Sequence, residues 1–302
     1  MEMLNFSKKQ SGDIESVLNR KPESRMHEIW SRMMRDKSSM ISFGFICILL
    51  FIAVFANLLV DENLVTAQSV VDRIQGPSLA HWFGTDLYGR DIFARIVYGS
   101  RVSLSIGVIT VIISTIVGGL LGAVAAYFGG KLDDIIMRIT DVFLAIPEQL
   151  LAMCVVAAMG ATPASVIGAL SIAVIPNRTR LVRSTVLGIV DTQYVEAARA
   201  GGAGDIRIII KEILPNALGP IIVVSTQGVA SIMLTASSLS YLGVGIQPPT
   251  PEWGALIFEA REFLRIAPYM CILPGFVIVL TALSFNLMGD GLRDALDPRL
   301  KD

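Results

Sequence analysis

The sequence is short of charge. Asp, Glu, Lys and Arg make up 17% of its 302 residues, against about a quarter in an ordinary soluble domain. That is too few to cover the surface of a water-soluble globule of this size. The formal net charge of −1 provides no basic field for nucleic acid. Histidine is nearly absent: His27 and His81 are far apart, which excludes a shared histidine metal or catalytic site. The three cysteines, Cys47, Cys154 and Cys271, have neither disulfide nor metal spacing; they read as small apolar packing residues. No Gly-x-x-x-x-Gly-Lys-[Ser/Thr] loop occurs, since Gly130-Lys131 is followed by Leu132 and Ala125 stands where the first glycine is needed. The chain therefore has no nucleotide-binding loop of its own. What is abundant is apolar: 53% of the residues are hydrophobic and the mean hydropathy is +0.63. That excludes a disordered chain and points to an integral membrane protein.

A bilayer-spanning helix needs about 20 mostly apolar residues. Five runs meet that length: 38–60, 102–130, 142–177, 216–250 and 266–289. The third is too long for one span, and Gly160-Ala161-Thr162-Pro163 is a turn signal in its middle, so it divides into two helices. The fourth ends in Gly243-Val244-Gly245-Ile246-Gln247-Pro248-Pro249-Thr250-Pro251, which cannot stay helical and reads as an ordered loop. The expectation is an all-α polytopic protein with six transmembrane helices.

Six spans put both termini on one side. Eight basic residues precede the first span, and positive residues stay cytoplasmic. With the N-terminus inside, 19 of the 25 Lys and Arg lie on the cytoplasmic face. The stretch before the first span has no early apolar core or cleavage site of the signal-peptide kind, so that span reads as an uncleaved anchor. The expected layout is a cytoplasmic N-terminal segment (1–37), a first transmembrane helix (38–60), an extracytoplasmic loop (61–101), a five-helix core (102–290) and a cytoplasmic C-terminal tail (291–302). The core contains a cytoplasmic loop at 191–215 and an extracytoplasmic loop at 241–265.

The cytoplasmic loop carries the most information. Tyr194 to Ala200 are good helix formers; Gly201, Gly202 and Gly204 break the helix. Asp205 is placed to N-cap a second short helix, and Pro215 to open the next span. The order Glu196-Ala197-Ala198, Gly202 and Leu214-Pro215 resembles the EAA motif of ABC importer permeases, with Glu212 where that family has an isoleucine. The resemblance implies a coupling helix docked in a groove of an ATPase subunit.

Outside, Gly84-Thr85-Asp86 and Gly89-Arg90-Asp91 read as capped turns. They fit either a lid that hydrogen-bonds its own backbone or a platform for an external protein. A second external segment runs to Pro249-Thr250-Pro251-Glu252-Trp253-Gly254, where Trp253 suits a membrane interface. From about Trp30 to Leu300 these motifs, in this order, resemble the second, C-type permease subunit of dipeptide and oligopeptide ABC importers, with the MetI-like permease fold. The resemblance implies a chain that is not an enzyme and binds no cofactor, ATP being bound by partner subunits. It implies a homologous second permease, two ABC ATPase subunits, an extracytoplasmic substrate-binding protein and membrane lipid as partners. The implied location is the bacterial inner membrane. Nickel-importing relatives share the layout, so a metal-chelate importer is the alternative.

Within the spans, Gly118-Gly119-Leu120-Leu121-Gly122 is a small-residue pattern for close helix packing. Pro176 and Arg178 read as a helix exit. Glu148 is the one charge in the long third run and a pathway candidate, or else a carboxylate reaching the inner interface. Ser225, Thr226, Thr235, Ser237 and Ser238 either line a polar pathway or bond their own backbone. A stand-alone secondary transporter would need more intramembrane charge than Glu148, and a membrane enzyme a polar catalytic cluster that the sequence lacks.

Overall fold

The computed structural model describes residues 30–296; the first 29 residues and the last six, with Arg299, Leu300 and Lys301, lie outside them. Among the described residues all regular structure is helical. Helix α1 spans Lys37–Val54, and the short helices α2 (Ala56–Leu59) and α3 (Asn63–Thr66) follow it. Asp36 caps α1 through Ser38 N–H and Ser39 N–H, and the chain breaks at Phe55 before the expected end of the first apolar run. Helix α4 runs from Ile92 to Phe128, 37 residues or about 55 Å, well beyond the hydrocarbon thickness. It starts ten residues before the apolar run because Asp91 caps it, accepting from Ala94 N–H at 2.8 Å. Its first turns therefore belong to the folded segment 61–101, expected outside the membrane and called the lid below.

Between α4 and the next apolar run, the charged stretch forms the amphipathic helix α5, Gly130–Leu144. Helix α6, Glu148–Met159, follows at an 84° bend. Its 12 residues reach about 18 Å, too short to cross alone. Gly160, at φ +90°, ends α6, and Thr162 caps α7 (Pro163–Leu187) with Pro163 in its first turn, as the turn signal predicted. Helix α7 does not exit at Pro176 or Arg178; both lie inside it. Helix α8, Gln193–Ala200, leads through a glycine turn to α9, Asp205–Ile208. A π-helical turn at Ile209–Ile213 joins α9 to α10, Leu214–Tyr241. The short helix α11, Trp253–Ala260, in the segment expected outside, precedes α12, Tyr269–Leu296.

Among the described residues four helical stretches are long and apolar enough to cross a membrane: α1, α4, α9 to α10 taken together, and α12; the bent pair α5–α6 would make a fifth. Helix α7 carries Arg178, Arg180 and Arg183 in its second half, which removes it from that group.

Close approach of α4 to α7 organises the bundle. A Cβ on Gly118 would stand 2.9 Å from Ile175 O, and one on Gly122 2.4 Å from Thr179 O, so the glycine pattern serves packing within the chain. Gly119 has open space. Arg183 grips Asp133 with two bonds of 2.6 and 2.5 Å, fastening α5 to α7. Helix α1 meets α12 where Ser39 Oγ donates to Leu287 O at 3.2 Å. The main core joins α1, α4, α6, α7, α10, α11 and α12. A smaller cluster holds the coupling segment against the ends of α4, α7 and α10 through Val195, Ile208, Ile209 and Ile213. Of the three cysteines, half-buried Cys271 packs against the main core as expected, whereas Cys47 and Cys154 are exposed.

Candidate functional site

Three places bring functional side chains together: the coupling segment, the external lid and a polar cleft in the bundle.

In the coupling segment, α8 is anchored by the fully buried Val195, while Glu196, Ala197 and Arg199 are exposed and Ala198 half-buried. Glu196 has no side-chain partner among the described residues. Gly202 sits at φ +79° with open space around it, a conformation that favours glycine and turns the chain into α9. Gly204, not Asp205, occupies the cap position of α9; the Asp205 carboxylate instead accepts from the Tyr127 hydroxyl at 2.7 Å. The Arg199 guanidinium lies over the Tyr127 ring, 5.7 Å from its centre. These contacts tie both coupling helices to the end of α4. Leu214 and Pro215 open α10, as expected. Tyr194, Ile206 and Ile210 of the same segment expose apolar surface.

In the lid, the motif residues turn inward. Gly84 and Gly89 have φ of +76° and +79°, and a Cβ on Gly89 would stand 2.1 Å from Ser69 O. Thr85 Oγ1 accepts from Gln75 N–H at 2.9 Å and donates to Asp72 O. Asp91 holds His81 Nδ1 at 2.8 Å as well as capping α4. Asp86 accepts from Tyr88 N–H, Arg90 N–H, Arg90 Nε and Arg95 Nη1, at 2.7 to 3.0 Å. Both arginines also reach Glu259 on α11, at 2.9 and 2.6 Å. The two guanidiniums are 1 to 2% exposed and the two carboxylates 5 to 6%. This four-charge cluster joins the lid, α4 and α11. Arg95 and Glu259 were not singled out from the sequence: one sits at the start of an apolar helix, the other in a separate segment, and only the fold brings them together.

Trp253 is an interior residue of the fold and not a surface anchor. It is 1% exposed, packs against Gly99 and donates from Nε1 to Ile96 O at 3.0 Å. Beside it Glu252 caps α11 through Ala255 N–H at 2.8 Å and accepts from Ser103 Oγ at 3.3 Å. Burial pushes the Glu252 carboxyl above its ordinary pKa, and the backbone N–H groups of Gly254 and Ala255 pull it back. A side chain on Gly254 would meet Ser237 O at 2.6 Å. Pro249 follows a cis peptide bond in the exposed turn before α11.

The third place is a cleft of about 390 Å³ between α6, α7 and α10, lined by Glu148, Asn177, Arg178, Gln227, Gly228 and Ser231 with apolar neighbours. Glu148, the first residue of α6, has Asn177 Nδ2 at 3.5 Å. Arg178 is 7% exposed and reaches Val224 O on α10 at 3.2 Å. Of the hydroxyls in α10, Thr226, Thr235 and Ser238 bond the preceding turn, while Ser225 meets Thr115 of α4 at 3.0 Å. Among the described residues no group of three His, Cys, Asp or Glu could hold a metal ion.

Residues 116–302 match the family described as binding-protein-dependent transport system inner membrane component. Residues 24–77 match the N-terminal transmembrane domain of oligopeptide transport permease C. The chain is 43% identical over 278 residues to the dipeptide transport system permease protein DppC of Alkalihalophilus pseudofirmus, covering 92% of this chain and 91% of the relative. It is 44% identical over 274 residues to the glutathione transport system permease protein GsiD of Pectobacterium atrosepticum, covering 91% of each. A solved inward-facing structure of the MetNI methionine ABC transporter superposes with a TM-score of 0.57 at 19% identity, over 68% of this chain and 98% of that one; this likeness shows the MetI-like permease fold. Membership in such a system implies ATPase and binding-protein partners. The chain belongs to the binding-protein-dependent transport permeases, as a multi-pass inner-membrane component of an ABC importer and not an enzyme.

Proposed function

We propose that this chain is the C-type permease of a bacterial importer for dipeptides or similarly small peptides, that it pairs with a homologous second permease, and that two ATPase subunits drive it. The observation that carries this reading is the coupling segment: α8 is anchored by Val195 but leaves Glu196, Ala197 and the surface around Tyr194 and Ile206 open. A knob held rigidly by Tyr127–Asp205 and Arg199–Tyr127 contacts suits the transmission of rigid-body motion from a partner to the spans. The relatives' names, dipeptide and glutathione permeases, support small peptides as cargo over a nickel chelate.

In this reading both termini are cytoplasmic and six membrane segments cross, α5–α6 forming one and α7 another. The joining of the lid to α11 supports the external face as the place where a binding protein delivers its load. Gly84, Thr85, Asp86, Gly89, Arg90 and Asp91 shape that surface from within, as do Trp253 and Gly254, and Pro249 lies on its exposed turn. Glu148 faces the substrate pathway.

The test is Glu196→Lys in cells that carry the whole importer. Peptide uptake is expected to fall at least tenfold, with ATPase recovery on the purified permease reduced and the amount of permease in the membrane unchanged. Uptake at the original rate would remove the coupling role.

A further inference from the structure

The polar cleft holds two opposite charges that do not satisfy each other. Glu148 and Arg178 line the same space, yet no direct ion pair joins them among the described residues. Glu148 has one long contact, from Asn177 at 3.5 Å. Arg178 uses Nη1 on Val224 O at 3.2 Å, while its Nε is buried with no hydrogen-bond partner. A buried guanidinium with an idle donor, opposite a carboxylate with spare acceptor sites, is costly unless something completes both.

The helix surface is cut to keep the guanidinium there. A Cβ on Gly228 would stand 2.0 Å from Arg178 Nη2, so only a glycine lets the arginine lie flat on α10. The arrangement of a cation and an anion across a small cleft, with the amides of Asn177 and Gln227 between apolar walls, complements a short molecule that carries both charges and amide groups. A guanidinium matches a carboxylate geometrically, and a carboxylate accepts from an ammonium.

We propose that Glu148 and Arg178 form a subsite for the two ends of a zwitterionic peptide. Arg178 takes the free α-carboxylate and Glu148 the α-ammonium, while Asn177 and the carbonyl of Gln227, whose Nε2 donates to Asp290 Oδ1 at 2.9 Å, face the peptide group. The proposal rests on the peptide-importer reading and adds a recognition step within the membrane that does not depend on the binding protein.

The test uses the purified, detergent-solubilised importer complex without its binding protein, and radiolabelled dialanine as probe. Saturable binding to the complex is expected. Dialanine amide and N-acetyl-dialanine, each lacking one charged end, should compete at least tenfold more weakly. Arg178→Gln should weaken dialanine binding at least tenfold and abolish the difference between dialanine and its amide. Glu148→Gln should do the same for the N-acetyl peptide. Gly228→Ala, which leaves both charges but displaces the guanidinium, should follow Arg178→Gln. Equal competition by all three peptides on the unaltered complex would overturn the subsite, and that result needs no variant to fold. So would absence of saturable binding, or wild-type affinity in Arg178→Gln. A separate uptake measurement isolates the parent reading: cells that import dialanine equally well without this chain would refute the importer function, whereas chain-dependent uptake without saturable binding would refute the subsite alone.

Discussion

Arg95 is 1% exposed, and its position on α4 makes sense only through the carboxylates it meets. Asp86 arrives from the lid and Glu259 from α11, each within 2.7 Å of Arg95 Nη1. Removing one member of such a buried group strands the others, which costs about 3–5 kcal/mol. Glu259→Ala is therefore expected to lower the thermal unfolding midpoint of the detergent-solubilised protein markedly. The exposed Glu62, changed to Ala, should lie within about 0.5 kcal/mol of the original. A Glu259→Ala protein as stable as the original would show that the cluster contributes nothing to stability. Glycine identity divides along the same physical line. Gly89 combines φ +79° with a backbone oxygen 2.1 Å from the Cβ site, whereas Gly119 meets nothing, so Gly89→Ala should disturb the lid and Gly119→Ala should not.

Helices α4 and α7 touch over the stretch where Gly118 and Gly122 face backbone atoms. Backbone cannot rotate away as a side-chain end can, so Gly122→Val must separate the two helices. The expected loss is about 1–3 kcal/mol or more, seen as a lowered unfolding midpoint. An unchanged midpoint would show that the contact is looser than the 2.4 Å approach to Thr179 O implies. At the start of α1, hydrogen bonds from Ser39, its hydroxyl first, hold the Asp36 carboxyl below its ordinary pKa. A depressed folded-state pKa contributes stability above the unfolded value, lost as pH falls through the folded value. The stability difference between the original protein and Asp36→Ala should thus be full at neutral pH and shrink below the usual carboxylate range. A pH-independent difference would mean that the cap works through its shape and not its charge.

At the scale of the molecule, the lid and the coupling segment occupy the two ends of α4: Asp91 and Arg95 begin it, and Tyr127 near its end binds Asp205. The proposed topology puts these ends on opposite sides of the membrane. Cysteines replacing Leu79, which is 98% exposed, and Ile206, which is 73% exposed, test it in a background without the three native cysteines. In cells that express the chain without its ATPase subunits, which would cover Ile206, an impermeant thiol reagent added from outside is expected to label position 79 and to reach position 206 only after lysis. Labelling of both from outside would break the topology.

The sequence by itself determined that the chain is helical and membrane-embedded, because charge scarcity and long apolar runs are properties of composition and order alone. Local chemistry likewise settled the turn at Gly160 to Pro163, the glycine break after α8 and the opening of α10 at Leu214-Pro215, since each depends on neighbouring residues only. It also marked the coupling motif. The rest depended on contacts between distant segments. Helix α4 starts at Ile92, capped by Asp91, and can hold Arg95, unfavourable in an apolar helix by composition, in its first turns because carboxylates from two other elements meet it. Trp253 is buried because Gly99 leaves room for it. Arg178, which local reading places at a helix end, sits inside α7 and enters a cleft with Glu148 because Gly228 on α10 admits it. Charge pairs, close approaches and clefts are set by which surfaces meet, and neither hydropathy nor spacing along the chain encodes that directly. Tertiary packing thus decided where the buried charges go, and with them the sites on which the proposed functions rest.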